Sequence, residues 1–216
     1  MKKNIGMEIN ERVKAIKQLF RQMMDGAVAN SMRDKGLDYH LSWGATLPRL
    51  REMAEEVRLE GGADILYDLA IALWKENVRE CKILATMLMP PEEILSEVVD
   101  LWMEQTETVE IAEQAAMNLY CHLPFAAEKA YQWMADDRPL YQLCGFHVLS
   151  RLFMEGREPN ERGINEFLDQ AVAALQGDSL SVRKAAMNSV FRFSELGLVY
   201  QRLAKSATKQ ANLDFL

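Results

Sequence analysis

The stretch that most constrains this chain is Ala63–Met89, ADILYDLAIALWKENVRECKILATMLM. Two apolar stripes run through it back to back, broken only at Glu76–Asn77. The first carries Ile65, Leu66, Leu69, Leu73 and Trp74; the second carries Val78, Cys81, Ile83, Leu84, Met87 and Leu88. Steps of three and four residues, without period-2 alternation, predict two amphipathic helices that each bury one face. A helix pair of this size cannot cover both stripes by itself, so it must stack on further pairs of the same kind.

The rest of the chain repeats the arrangement. Second helices of successive pairs are expected to begin near Val78, Val109, Leu140 and Val182, at offsets of 31, 31 and 42 residues. Two helices per period in this range signify an all-α fold, an α-solenoid (superhelix) of HEAT/ARM-like two-helix repeats. Asp178–Ala186, DSLSVRKAA, is similar to the second-helix start of a HEAT repeat, and Val78–Arg79 is a weaker echo. Helices are expected from Glu8 to about Asp25, from Ala27 to Lys35 with Gly36 closing, and from Pro48 to Leu59 before Gly61–Gly62. Pro90–Pro91, Pro124 and Pro139 are expected to open later helices, and Thr106, Asn160 and Asp178 to cap others. A closing helix follows Gly197, and SATKQANLDFL reads as a frayed polar tail. Residues 1–216 are therefore expected to form one repeat domain, with N-terminal helices at 1–62, repeats at 63–204 and a tail at 205–216.

Composition narrows the class. With 216 residues and 49% apolar content the chain can bury a sizeable core. No 18-residue apolar run suggests a membrane span, and the basic start MKKNIGMEINERVKAIK lacks the apolar region of an export signal. Cys81, Cys121 and Cys144 are odd in number, far apart and inside helical patterns, which fits reduced buried thiols in a cytoplasmic protein. With no CxxC or Cys/His cluster, neither a metal nor a cofactor is expected.

The net charge of −7 is unevenly spread. Met1–Glu60 carries eleven Lys/Arg against nine Asp/Glu, Pro90–Asp137 one against eleven, and Asp178–Leu216 six against three. Such runs are either solvated helix faces or basic arms gripping a polyanion around an acidic centre. Glu97, Asp100, Glu104, Glu107, Glu110 and Glu113 form a carboxylate-rich run with steps of three and four. It lacks the histidines or compact oxygen loop of a metal site, but Glu110 or Glu113 is suited to stabilising a developing cation. His40, His122 and His147 are isolated, and no phosphate-cradling or nucleophile motif occurs. Trp74, Trp102 and Trp133 sit at helical spacing and read as core. Trp43, in HLSWGAT beside Tyr39, either stacks on a base or lids the first repeat.

The segments Ser31–Ala54, Asp68–Leu88 and Ser181–Arg192, in this order and spacing, resemble the HEAT-like bacterial DNA alkylation repair family, the AlkC/AlkD-type alkylpurine glycosylases. The resemblance covers roughly Ala27 to Leu203. It implies release of bulky or cationic alkylpurines from duplex DNA in a concave cleft, with a carboxylate stabilising the sugar cation and basic side chains holding phosphates. The family's catalytic aspartate falls on Glu113, its paired tryptophans on Thr108 and Val109, and its arginine on Leu143. The later cleft tryptophan falls near Asn188 and the N-terminal cleft tyrosine on Ser31. On this resemblance Glu113 is the expected catalytic residue, and Arg183, Lys184 and Trp43 are the expected DNA contacts.

Three functions follow as expectations. One is a divergent alkylpurine glycosylase, a hydrolase of N-glycosidic bonds. The second is a DNA-binding module without catalysis, holding duplex DNA through the basic N- and C-terminal segments. The third is a protein-interaction scaffold whose acidic face receives a basic protein or peptide.

Overall fold

The computed structural model of the protein describes residues 2–37 and 39–213, with side chains from Glu8 onward except that of Ala63. The last three residues of the expected tail therefore lie outside the described residues. The described chain is helical, with no strand. The order is α1 (Lys2–Gln22), α2 (Gly26–Asp34), α3 (Leu47–Glu60), α4 (Ala63–Trp74), α5 (Arg79–Leu88), α6 (Ser96–Glu104) and α7 (Val109–Asn118). A 3₁₀ turn (Tyr120–His122) follows, then α8 (Ala126–Met134), α9 (Pro139–Met154), α10 (Glu161–Gln176), α11 (Leu180–Ser194) and α12 (Leu198–Gln210). They fall into two units, Met1–Leu119 and Tyr120–Leu216.

In the first unit α5 is the central element. It packs on α3, α4 and α7, and each of its residues from Arg79 to Leu88 is buried. The predicted stripe is there, with Cys81, Ile83 and Leu84 fully enclosed. Each fully buried aliphatic side chain of this kind contributes about 1.5–3 kcal/mol. The sequence pattern did not foresee that Arg79, Glu80 and Lys82 would be enclosed as well. Pair stacks on pair through period-related contacts. Trp74 of α4 lies flat on Trp102 of α6, with centroids 4.2 Å apart. Its indole Nε1–H donates to Gln105 Oε1 at 2.8 Å, across 31 residues.

In the second unit α9 packs on α8 and α11, and α11 in turn holds α10 and α12. Its centre is aromatic: Phe167 touches Phe153 edge-on at 5.1 Å and Phe193 at 5.0 Å. Gly145 lets α9 approach α8 backbone to backbone. A Cβ there would stand 2.7 Å from both Ala130 O and Met134 N.

The second helices begin where the period placed them, with N-caps at Val78, Thr108, Arg138 and Ser179. Other boundaries shift. Pro91 keeps Pro90 out of the helical region, so Pro90–Glu93 makes only one turn and α6 starts at Ser96. Ile94, 3% exposed, anchors the intervening segment. Thr106 donates to Trp102 O at 2.8 Å and closes α6, while Thr108 caps α7 by accepting from Ile111 N at 3.3 Å. Ser179, not Asp178, caps α11. Helix α8 starts at Ala126 rather than at Pro124, because Tyr120, Cys121 and Leu123 are first drawn into the core in the 3₁₀ turn and the residues after it. Helix α12 continues to Gln210, because Ala204 and Thr208 are buried on its inner face.

Candidate nucleic-acid interface

Two clusters carry chemistry-bearing side chains, one in each unit. In the first, the loop from Tyr39 to Thr46 turns back over the N-terminus of α5. Glu80, fully buried, accepts hydrogen bonds from Ser42 Oγ at 3.0 Å and from the backbone N–H groups of Trp43, Gly44 and Ala45 at 3.2, 2.9 and 3.2 Å. Its neighbour Arg79 donates two hydrogen bonds to Glu110 of α7, Nε to Oε2 at 2.8 Å and Nη2 to Oε1 at 2.6 Å. Arg79 Nη1 donates to Ala45 O at 2.7 Å. Tyr39 Oη–H donates to the same Glu110 carboxylate.

A buried charge persists only when it is paired and hydrogen-bonded, and here one arginine and two carboxylates meet that requirement. Burial alone would raise the Glu110 pKa, but the Arg79 hydrogen bonds and charge outweigh it and hold the carboxyl below its ordinary value. Burial and the Glu110 hydrogen bond together push the Tyr39 hydroxyl well above its ordinary value. The cluster ties the loop and two repeats together. It also commits Glu110 to Arg79, so the role of cation stabiliser considered for Glu110 does not fit.

Trp43 belongs to the same knot. Its ring is 7% exposed, stacked on Phe20 of α1 at 5.9 Å, with the Arg21 guanidinium 6.0 Å away over it. That is the position of a lid on the first repeat. Gly44 next to it has φ +80°, and a Cβ there would lie 2.3 Å from Asp25 O. Glu113, one turn beyond Glu110 on α7, is half-buried. Beside the knot, Trp74, Asn77, Lys82, Gln105 and Glu107 line a cleft of about 440 Å³. Lys82 donates to Gln105 O at 2.9 Å and lies over the Trp74 ring. Burial lowers its ammonium pKa, against the opposing pull of Glu107. This amine closes the C-terminal end of α6, whose carbonyls lack partners of their own.

The second cluster is a surface. Helices α11 and α12 carry Arg183, Lys184, Arg192, Arg202, Lys205 and Lys209 and no Asp or Glu. All six basic residues of Asp178–Leu216 thus fall on two helices that pack together. Val182, Ala185, Ala186, Ser189, Val190 and Phe193 turn inward, which leaves Arg183 and Lys184 exposed on the first turn of α11. On α12, Ala204 and Thr208 face inward while Arg202, Lys205 and Lys209 are exposed at steps of three and four. Gln176, just before α11, reaches Ala211 O at 3.4 Å. This brings the Lys209 end of α12 beside the Arg183–Lys184 end of α11. Among the described residues, Arg192 forms an ion pair with Glu195 at 2.9 Å.

Comparison with known proteins bears on what such a surface serves. Residues 16–192 match the family described as DNA alkylation repair enzyme. The chain belongs to the DNA alkylation repair enzyme family. One solved structure, described as "a new family of proteins related to the HEAT-like repeat DNA glycosylases with affinity for branched DNA structures", matches with a TM-score of 0.78. The match covers 92% of this chain and 82% of that one at 13% identity, which establishes a shared HEAT-like helical-repeat fold. No curated protein matches. In this DNA alkylation repair family member no helix among the described residues is long and apolar enough to cross a membrane. Nor do the described residues gather three or more His, Cys, Asp or Glu side chains in a position to hold a metal ion.

Of the residues singled out from sequence, Arg183 and Lys184 come together with three further cations on α12. Glu113 and Trp43 lie in the other unit. The α12 cations belong to the basic C-terminal segment, but the sequence does not single them out, and Lys209 lies in the stretch from Ser206 that reads as tail. The Arg79–Glu80 pair was missed because a charged dipeptide at a helix start ordinarily reads as solvent-facing. The signal that could have found it is the separation of 31 residues between Arg79 and Glu110, which equals the repeat period.

Proposed function

We propose that the protein binds DNA through the outer faces of α11 and α12, with Arg183, Lys184, Arg202, Lys205 and Lys209 neutralising backbone phosphates. The observation that carries this reading is six cations and no acid on two packed helices, in a chain whose net charge is −7. Phosphate contacts supply affinity that falls with salt and reads no sequence. Family membership and the branched-DNA affinity of the structural relative support the same ligand class.

Fluorescence anisotropy with duplex DNA across a salt series tests it. Five phosphate contacts correspond to a slope of log K against log salt of about −4.5, and each cation lost removes about 0.9. Replacing Arg202, Lys205 and Lys209 with Gln together is expected to flatten the slope by about 2.7. An unchanged slope would reject this surface as the DNA contact.

Family membership favours a second reading, excision of a cationic alkylpurine with Glu113 stabilising the sugar cation as the glycosidic bond breaks. Release of 7-alkylguanine from duplex DNA, lost in Glu113→Gln while DNA affinity stays unchanged, is the result this reading requires. No release above the protein-free rate rejects it for that lesion.

A further inference from the structure

The basic surface ends in an apolar tip. Leu198 and Val199, the first two residues of α12, are 73% and 65% exposed, more than any other large apolar residue among the described residues of the second unit. They follow Gly197, whose φ of +155° sets the sharp entry into the helix. The turn is firmly held, since Tyr200 packs edge-on against Phe193 at 5.2 Å, with the rings 86° apart. Leu198 shares its helix face with Arg202, Lys205 and Lys209, at steps of four, three and four. Two acids flank the turn, Glu195, held by Arg192, and Glu158, which accepts a hydrogen bond from the Tyr200 hydroxyl. Two exposed aliphatic side chains on a rigid turn thus adjoin the cations of α12 and offer an apolar contact beside a basic face.

We infer that Leu198 and Val199 form a wedge that packs on the exposed face of a base pair at a DNA branch point, while the α12 cations hold the adjoining phosphates. This rests on the DNA-binding reading above and names the DNA structure preferred. In an intact duplex each base pair is covered by its neighbours. At a branch the terminal pair of an arm can expose its face, and an aliphatic side chain covers that face without reading sequence. Charge complementarity selects DNA as the occupant, because the apolar pair continues into the α12 cations, while the two acids at the turn are engaged by Arg192 and Tyr200.

The test compares the intact protein with the double variant Leu198→Ser, Val199→Ser on a four-way junction and on a linear duplex of the same sequence. Both side chains are exposed, so the fold is expected to survive substitution. The wild type is expected to prefer the junction and to change the fluorescence of 2-aminopurine placed at the branch point. In the variant the preference should fall about tenfold or more, the fluorescence change should vanish, and duplex affinity and its salt slope should stay as they were. A junction preference kept within about twofold in the variant overturns the wedge, as does a wild type without any preference. A concentration-dependent dimer that is lost in the variant would assign the tip to a second copy of this chain and overturn it too. Failure of the DNA-binding reading looks different, because duplex affinity would then ignore the Arg202, Lys205 and Lys209 substitutions.

Discussion

Replacing Glu80 with Gln tests whether the buried knot holds the N-terminal loop. The substitution preserves shape and one carbonyl oxygen but removes the charge. Glu80 now accepts from four loop donors, Ser42 Oγ and the Trp43, Gly44 and Ala45 amides, at 2.9 to 3.2 Å. A hydrogen bond to a charged group contributes about 1.5–3 kcal/mol and a neutral one about 0.5–1.5, so each loses about 1 kcal/mol. Four such losses give about 4 kcal/mol, and small shifts of the loop should recover part of it, leaving about 3 kcal/mol. Urea unfolding of the variant is therefore expected at a clearly lower midpoint. Amide hydrogen exchange localises the effect, with protection falling first at Trp43, Gly44 and Ala45. An unchanged midpoint with undiminished protection at these three amides would refute the reasoning.

Gly44→Ala forces a Cβ to within 2.3 Å of Asp25 O at φ +80°, and is expected to cost about 2 kcal/mol or more in the same urea assay. Gly145→Ala should cost about 1–3 kcal/mol by pushing α9 off α8, seen as a lower thermal midpoint of the second unit. Because the Glu110 pKa is depressed in the fold, its contribution to stability is complete above its ordinary value of 4.5 and is lost as pH falls through the lower folded value. Urea midpoints measured from pH 6 downward, in roughly half-unit steps, should therefore fall less steeply with acid in Glu110→Gln than in the wild type. Burial pushes the Cys81 and Cys121 thiols up to about 12 and about 11, so a thiol reagent at mildly alkaline pH should label the native protein slowly and the unfolded chain at once.

Much of the fold was legible because its signal is periodic. The stripe through Cys81, Leu84 and Leu88 and the second-helix starts both depend on spacing alone, and spacing survives in a single sequence. Boundaries were less legible, because competing caps lie within two residues of each other. Thr106 and Thr108 are both good caps, and only the bond from the Thr106 hydroxyl back to Trp102 O, which closes α6, decides between them. The knot was hidden for a different reason. Arg79, Glu80 and Glu110 look solvent-exposed one at a time, and their burial makes sense only as a set brought together by the repeat. The basic face was half legible: Arg183 and Lys184 sat on a recognisable helix start, whereas Arg202, Lys205 and Lys209 needed the inner face of α12 to fix their direction.

The repeats differ in length, and that difference bears on how the chain avoids folding wrongly. Helices α5 and α7 have ten residues each, whereas α9 has sixteen and α11 fifteen. At 1.5 Å per residue, a ten-residue helix seated in the place of α9 would fall short by about 9 Å. Chains built from near-identical repeats can pair a helix with the wrong neighbour, within one molecule or between two, because every groove accepts every helix. Here an exchange between the short and the long pairs leaves more than a turn of apolar surface wet. Unequal length thus works as an address, keeping the short helices out of the long grooves before any side chain has been matched in detail.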